Sequence, residues 1–368
     1  MCRAPEHQSA SAPEDKFHKG AGLPHKVKED RGEMSAKLLD GEALAKKIRD
    51  DLKNQIAELK SKQIIPHLVA VQIGENPASK MYVWQQQKSC EEMGMLYTLN
   101  QLPETSTQDD MLREIEKLNN DKNVTGIILQ MPLPQGVDAR KVQISIDPGK
   151  DAEGLHPVNV GRLVSATNII APCTALGALE LLKSTGISLK GLEIVVVGHS
   201  EIVGKPISML LLQSITESPT VTVCHVATKD LAHHTKNADI IFSATGKSQA
   251  VWLKYSSALK KYSQDKSLPK PQIPNLSPLI KADMIKDGSI IIDIAINRIP
   301  EGFDNNGNPL LNEKGKPKMK TVGDVEFDKA KEKAAWITPV PGGVGPMTVA
   351  SLLKNIVILA QDQIVGSR

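Results

Sequence analysis

The sequence predicts an α/β protein with two parallel-sheet lobes, and three observations carry that expectation. Short apolar runs that read as buried strands alternate with segments of helical periodicity. The alternation comes as two series, separated near residue 174. The chain has 368 residues, enough for two ordinary domains, each with its own core.

Residues 1–33 are rich in Pro, Gly, Ala and charge and have no apolar period, so they read as a disordered tail. They lack the apolar stretch of a secretory signal, and Glu6, Glu14, Asp15, Glu29, Asp30 and Glu33 argue against a transit peptide. Met34 is a candidate functional start. Leu44, Ile48, Leu52, Ile56 and Leu59 then recur at spacings of four and three, the mark of an amphipathic helix. HLVAVQIG (67–74) reads as a buried strand. A helix is expected from about Ala78 to Met93, closed by Gly94, and GIILQMPLP (126–134) is another strand ending in a Pro-rich turn. This order suggests a parallel sheet.

The second series has candidate strands at 193–199, 220–226, 238–244 and 289–297, the alternation of a nucleotide-binding doubly wound domain. Residues 248–280, rich in Lys, Ser and Pro, read as a surface insertion, and 301–320 as a polar hairpin or loop. The last helix is expected near Met347, with Val349, Leu352, Leu353, Ile356 and Leu359 on its apolar face. The chain shows no internal repeat.

Composition narrows the function classes. Lys and Arg number 45 against 42 Asp and Glu, and a net charge of +3 argues against a nucleic-acid or anionic-membrane partner. Aromatic residues make up 3%, too few for base-stacking platforms. Cys2, Cys90, Cys173 and Cys224 form no CxxC pair, so neither a disulfide framework nor a zinc module is expected, and a reducing, cytoplasmic compartment fits. His156, His225, His233 and His234 have no metal-ligand spacing, and no bound metal is expected. No uninterrupted apolar run reaches the roughly 18 residues of a membrane span.

Four stretches can carry chemistry. In VVVGHSEIVGKP (195–206) a strand enters a glycine turn and then a helix, whose free N–H groups suit a phosphate; Gly198 and Gly204 do not form G-x-G-x-x-G, and a turn without a ligand is the plainer reading. ITPVPGGVGPMTVA (337–350) is a stiff loop with exposed backbone, fit either to line a cleft or to join domains. In SKMYVWQQQKSCEEMGM (79–95), Tyr82 and Gln86 share a helix face, whereas Lys88 points elsewhere. In ILQMPLPQG (128–136), Gln130 ends a buried strand, where ligands bind in α/β sheets; Asp151 and Glu153 follow in GKDAEGLHPVNVG (149–161) as a short acidic pair.

Together these stretches resemble the bifunctional methylenetetrahydrofolate dehydrogenase/cyclohydrolase (FolD) family. The matching blocks include S-x-x-Y (79–82), EEMGM (91–95), LQMPLP (129–134), KDAEGLHPVNVGRL (150–163), PCTALG (172–177), VVVGHSEIVGKP, ADIIFSATGK, DIAINR, VGDVEF (322–327) and PVPGGVGPMT (339–348), in family order over about residues 35–362. The resemblance implies a three-layer α/β folate domain at 34–174, completed by a C-terminal helix at 347–368. It also implies a Rossmann-like NAD(P) domain at 175–346, and usually a homodimer. It implies catalytic roles for Tyr82, Gln86, Gln130 and Glu153. Ser79, Tyr82, Glu153, Pro341, Gly342 and Gly343 would contact folate. Thr174, Gly198, His199, Ser200, Ile202, Val226 and Ile296 would contact NADP, with NAD the alternative cofactor.

The chain departs from the family pattern at five positions. Where the family has Tyr-x-x-x-Lys, this chain has Gln86. Hydride loss from a methylene carbon needs orientation of substrate and cofactor, whereas hydrolysis of the methenyl cation needs water activation and proton transfer. An amide donates and accepts hydrogen bonds but does not carry a proton near neutral pH. Dehydrogenase activity is therefore expected to persist and cyclohydrolase activity to be weak. Lys80 and Lys88 are the nearest substitutes. Glu153 stands where Asp is common, which lengthens the carboxylate by one methylene. His199 and Val226 replace residues suited to a 2′-phosphate, for which His225 and Lys229 are neighbouring candidates. Ala295 stands where Gly is usual. The rival expectations are a folate- or nucleotide-binding pseudoenzyme with a regulatory role, and a Rossmann dehydrogenase for another small acid.

Overall fold

The computed structural model describes residues 35–75 and 79–366. The expected tail at 1–33 and the start at Met34 lie outside the described residues. In chain order the elements are β1 (Lys37–Leu38), α1 (Gly41–Ser61), β2 (His67–Ile73), α2 (Lys80–Met93), β3 (Leu96–Leu102), α3 (Gln108–Asn120), β4 (Gly126–Leu129), α4 (Ala139–Gln143), α5 (Pro157–Val164) and α6 (Cys173–Lys183). They continue as β5 (Glu193–Val197), α7 (Gly204–Leu211), β6 (Thr220–Cys224), α8 (Leu231–Thr235), β7 (Ile240–Ser243), α9 (Lys247–Gln264), β8 (Ile290–Asp293), β9 (Asn297–Pro300), β10 (Met319–Val322), α10 (Phe327–Lys331), β11 (Trp336–Ile337) and α11 (Val344–Gly366).

The first lobe is built on a parallel sheet in the order β3-β2-β4. Strand alternation sends its side chains into two cores. Leu68, Ala70 and Ile128 meet α1 and α11 on one face, whereas Val69, Val71, Ile127 and Leu129 meet Met111 and Ile115 of α3 on the other. Helices on both faces of a sheet make three layers, and α11, from the far end of the chain, is part of one of them. By length and composition α11 is apolar enough to cross a membrane over Val344–Ile364, yet 61% of that window is buried. Its Leu352, Leu353, Ile356 and Val357 fill the first-lobe core.

The second lobe is a parallel sheet in the order β1-β11-β8-β7-β5-β6. From β5 the chain steps outward to β6 and then crosses back to β7 on the other side, so the order reverses between β5 and β7. A crevice opens outside the strand ends at such a point. The lobes do not part at one cut, because Lys37 and Leu38 pair with β11 at the edge of the second sheet.

Three expectations change. The stretch read as a surface insertion is helical in its first half: α9 runs to Gln264, and Trp252 and Tyr255 are buried against Ile299 beside Phe303. The period was masked because α9 has a narrow buried stripe among lysines and serines. Strand β3 went unseen because its side chains are mostly exposed or half-buried, which removes the apolar run that marks a strand. The last helix starts at Val344, three residues before Met347. The 301–320 stretch is a hairpin loop as expected, carried by the antiparallel pair β9 and β10.

Candidate active site

A cleft of about 580 Å³ separates the lobes. Tyr82, Gln85 and Ser89 of α2 form one wall; Asp293, Ala295, Ile296 and Arg298, at the ends of β8 and β9, form the other. Pro339 to Gly345 close the floor. That loop is pinned to α1: the Gly41 N–H donates to the Gly342 carbonyl at 3.0 Å, and a Cβ on Gly41 would fall 1.7 Å from the Gly343 oxygen. Helix α2 starts after Ser79 and stops at Gly94, whose left-handed φ of +69° suits a residue without a Cβ. Tyr82 is 50% exposed and presents its ring to the cleft. Ser79 is buried instead, its hydroxyl donating to Gln72 Oε1 at 3.3 Å.

One turn along α2 from Tyr82, the Gln86 Oε1 accepts two hydrogen bonds, from Gln130 Nε2 at 2.6 Å and from the Tyr97 hydroxyl at 3.3 Å. Gln130 is buried at the end of β4, with its N–H on the Val71 carbonyl. Burial, and then the neighbouring Cys90, push the Tyr97 phenol well above its ordinary range. Neither substitute lysine hydrogen-bonds to this group, although Lys88 lines the cleft. The Lys88 Nζ lies 5.0 Å from the Trp84 ring centre and 3.7 Å from Glu92, and Lys80 pairs with Glu75 at 2.9 Å.

Glu153 leaves the same end of the same sheet as Gln130. Residues 150–152 run beside β4, with an isolated bridge between Ile127 and Asp151, and Glu153 follows. Asn355 of α11 secures this segment by donating to the carbonyls of Ala152 and Ala171. Asp151 is wholly buried and accepts from the His156 N–H and from Asn159 Nδ2. Glu153 is half-buried, and none of the hydrogen bonds among the described residues reaches its carboxylate. Desolvation, and then the charge of Asp151, raise its pKa to about 7. Next to it, Thr174 at the start of α6 accepts from the Thr348 hydroxyl at 3.4 Å.

The turn after β5 lies at the topological switch. Gly198 has φ +112°, and a Cβ there would fall 2.6 Å from the Ala244 carbonyl at the end of β7. The backbone N–H groups of His199, Ser200, Glu201 and Ile202 meet no acceptor among the described residues, which is the arrangement that suits a dinucleotide diphosphate. The Ser200 hydroxyl instead accepts from the Val203 N–H at 3.2 Å. His199 and His225 pack edge to face with ring centres 4.8 Å apart, and Val226 is fully exposed beside them. Val226 thus makes no contact that defines a pocket, while Ile202 is exposed and Ile296 lines the cleft.

Two buried acids that the sequence reading passed over hold the other wall. Asp324 Oδ2 accepts from the Ser243 hydroxyl, the Thr245 N–H and hydroxyl, and the Gly246 N–H, and its Oδ1 accepts from Asn297 Nδ2. Asp293 accepts from the N–H groups of Val325 and Ala295. With few donors of its own, and with Asp324 close by, Asp293 has its pKa raised to about 7, desolvation being the larger cause. The signal was present: both acids sit in the DIAINR and VGDVEF blocks at strand ends. Among the described residues no group of three or more His, Cys, Asp and Glu side chains could hold a metal ion.

Comparison with known proteins covers both lobes of the chain. Residues 39–153 match the catalytic domain of tetrahydrofolate dehydrogenase/cyclohydrolase, and residues 172–258 and 276–364 match its NAD(P)-binding domain. The gap, residues 259–275, takes in the last turns of α9 and part of the stretch after it. The bifunctional protein FolD of Nautilia profundicola is 41% identical over 325 residues, covering 88% of this chain and 97% of that protein. The crystal structure of the bifunctional enzyme FolD from Campylobacter jejuni is 39% identical, with a TM-score of 0.73 over 89% of this chain and 100% of that one. The Trypanosoma brucei FolD structure, complexed with NADP and an inhibitor, is 33% identical, with a TM-score of 0.73 over 90% of this chain and 99% of that one.

Proposed function

The chain belongs to the tetrahydrofolate dehydrogenase/cyclohydrolase family, and from that premise we propose that it oxidises 5,10-methylenetetrahydrofolate to 5,10-methenyltetrahydrofolate with NADP, while its hydrolysis of the product to 10-formyltetrahydrofolate is weak. The observation that carries the reading is the cleft, where Tyr82 of one lobe and Ile296 of the other share a single cavity above the Pro341–Gly343 loop. Folate lies along Tyr82, and the Glu153 carboxylate accepts from the N–H groups of the pterin edge. The free N–H groups of His199 to Ile202 hold the dinucleotide diphosphate, and Thr174 and Ile296 flank the nicotinamide. Bound NADP supplies the hydride acceptor. The protein's part in hydride transfer is to align the two ligands and keep water out, a task that needs no titrating group.

Hydrolysis is a different demand. Its water must lose a proton, and Gln86, Gln130 and the Tyr97 phenol form a neutral group. The rings of His199 and His225 and the Lys229 ammonium supply donors where a 2′-phosphate would lie. No carboxylate falls between His225 and Lys229 to hold a free 2′-hydroxyl, which supports NADP over NAD. We also infer a cytoplasmic homodimer without nucleic-acid or membrane partners. The near-balanced charge and the burial of α11 support the absence of those partners, and light scattering of the purified protein tests the dimer.

Following both half-reactions on one preparation with NADP and with NAD tests the whole reading. Formation of the methenyl product with little subsequent hydrolysis supports it. Absence of reduced cofactor would favour the regulatory pseudoenzyme instead.

A further inference from the structure

Tyr97 lies in β3, outside every block that carries the family resemblance, yet its hydroxyl reaches the residue on which hydrolysis depends. A carbonyl oxygen has two lone pairs, and those of Gln86 are both taken, by Gln130 and by Tyr97. The Gln86 NH2 group meets no acceptor among the described residues and is the half of the amide left for a ligand. The two glutamines alone do not determine this direction. If both amides turned over together, Gln86 would donate to Gln130 with an equally good bond. Tyr97 breaks the tie: in the reversed arrangement its oxygen could accept from the Gln86 NH2, but its half-buried hydroxyl hydrogen would lose the one acceptor it has among the described residues.

We propose that Tyr97 is a positioning residue that, through its bond to the Gln86 carbonyl, fixes the Gln86 NH2 toward bound folate as a hydrogen-bond donor. The inference rests on the folate reading above. Tyr97 is not a replacement for the missing base. Its surroundings favour the protonated phenol, so it remains a donor across the working pH range. Gln86, Gln130 and Tyr97 therefore present folate with a donor of set direction, and none of the three removes a proton from water near neutral pH.

A double-mutant cycle tests this, using Tyr97→Phe, Gln86→Ala and the two together. Steady-state kinetics with methylenetetrahydrofolate and NADP are read together with the thermal midpoint of each protein. Tyr97→Phe is expected to raise the folate KM about threefold to tenfold, the worth of one hydrogen bond, and to leave the NADP KM unchanged. In the Gln86→Ala background the same change is expected to add nothing. A Tyr97→Phe penalty that persists undiminished without Gln86 overturns the proposal, as does an unchanged folate KM in the single variant. Wild-type protein that turns over no methylenetetrahydrofolate overturns the folate reading itself, and is seen before any variant is compared.

Discussion

Gln130 Nε2 and Gln86 Oε1, 44 residues apart in sequence, meet at 2.6 Å, so the end of β4 and the middle of α2 are joined by an amide pair where the family has a lysine. The pair is neutral at every pH at which the protein folds. On the proposed reading, that neutrality leaves hydride transfer intact and weakens hydrolysis.

Restoring the ammonium should restore the second reaction. Gln86→Lys places Nζ against Gln130, whose amide can turn to offer its oxygen. Hydrolysis of methenyltetrahydrofolate, followed by loss of its absorbance, is expected to rise by about 10²-fold or more, the low end of general acid–base assistance. Dehydrogenation is expected to change by much less. An equal rise in both rates would show that the lysine acts on binding rather than on proton transfer.

Glu153 is expected to make folate binding pH-dependent. Its pKa of about 7 in the free protein means that the carboxylate proposed to accept from the pterin is fully available only above that value. The folate KM is expected to climb as pH falls below about 7, approaching tenfold per unit. Glu153→Gln should flatten that slope and weaken binding, because the amide puts a donor where an acceptor is needed.

Asp293 should govern stability against pH in the opposite sense to an ordinary salt-bridged acid. Its folded pKa, about 7, lies above the ordinary 3.8, so the folded state holds the proton more tightly than the unfolded state. The resulting stabilisation is fully present below about pH 4 and is lost as pH rises through 7. Asp293→Asn is expected to reduce this loss in calorimetric scans between pH 5 and 8. It should also lower the midpoint at pH 5, because its NH2 group would oppose the N–H of either Val325 or Ala295.

Gly198→Ala tests the diphosphate turn. The new Cβ would meet the Ala244 carbonyl, and φ +112° is strained for any residue with a side chain. A loss of about 1–3 kcal/mol in stability is expected. The NADP Kd, measured by fluorescence, should rise at least tenfold while folate affinity in the absence of NADP stays near wild type.

Much of this was legible in the chain. The strands β2, β4, β5, β7 and β8 are buried on both faces and therefore appear as uninterrupted apolar runs, and α1 carries a clean helical period. Edge strand β3 and helix α9 bury too little for either signal. Among the site residues, those in glycine- and proline-rich turns were readable because backbone geometry restricts which residues can stand there. Asp293 and Asp324 were not singled out, since an acid at a strand end looks the same whether it faces water or a second carboxylate.

By itself the sequence determined the two series of parallel strands, the switch-point turn at Gly198 and the absence of a lysine at position 86, because each follows from local pattern or identity. Only the tertiary structure decided that Tyr97 and Gln130 converge on Gln86, that Lys80 pairs with Glu75 and Lys88 with Glu92, and that Glu153 and Asp293 hold protons near neutrality. Those properties depend on desolvation and on distances between residues far apart along the chain, and neither exists until the lobes have packed.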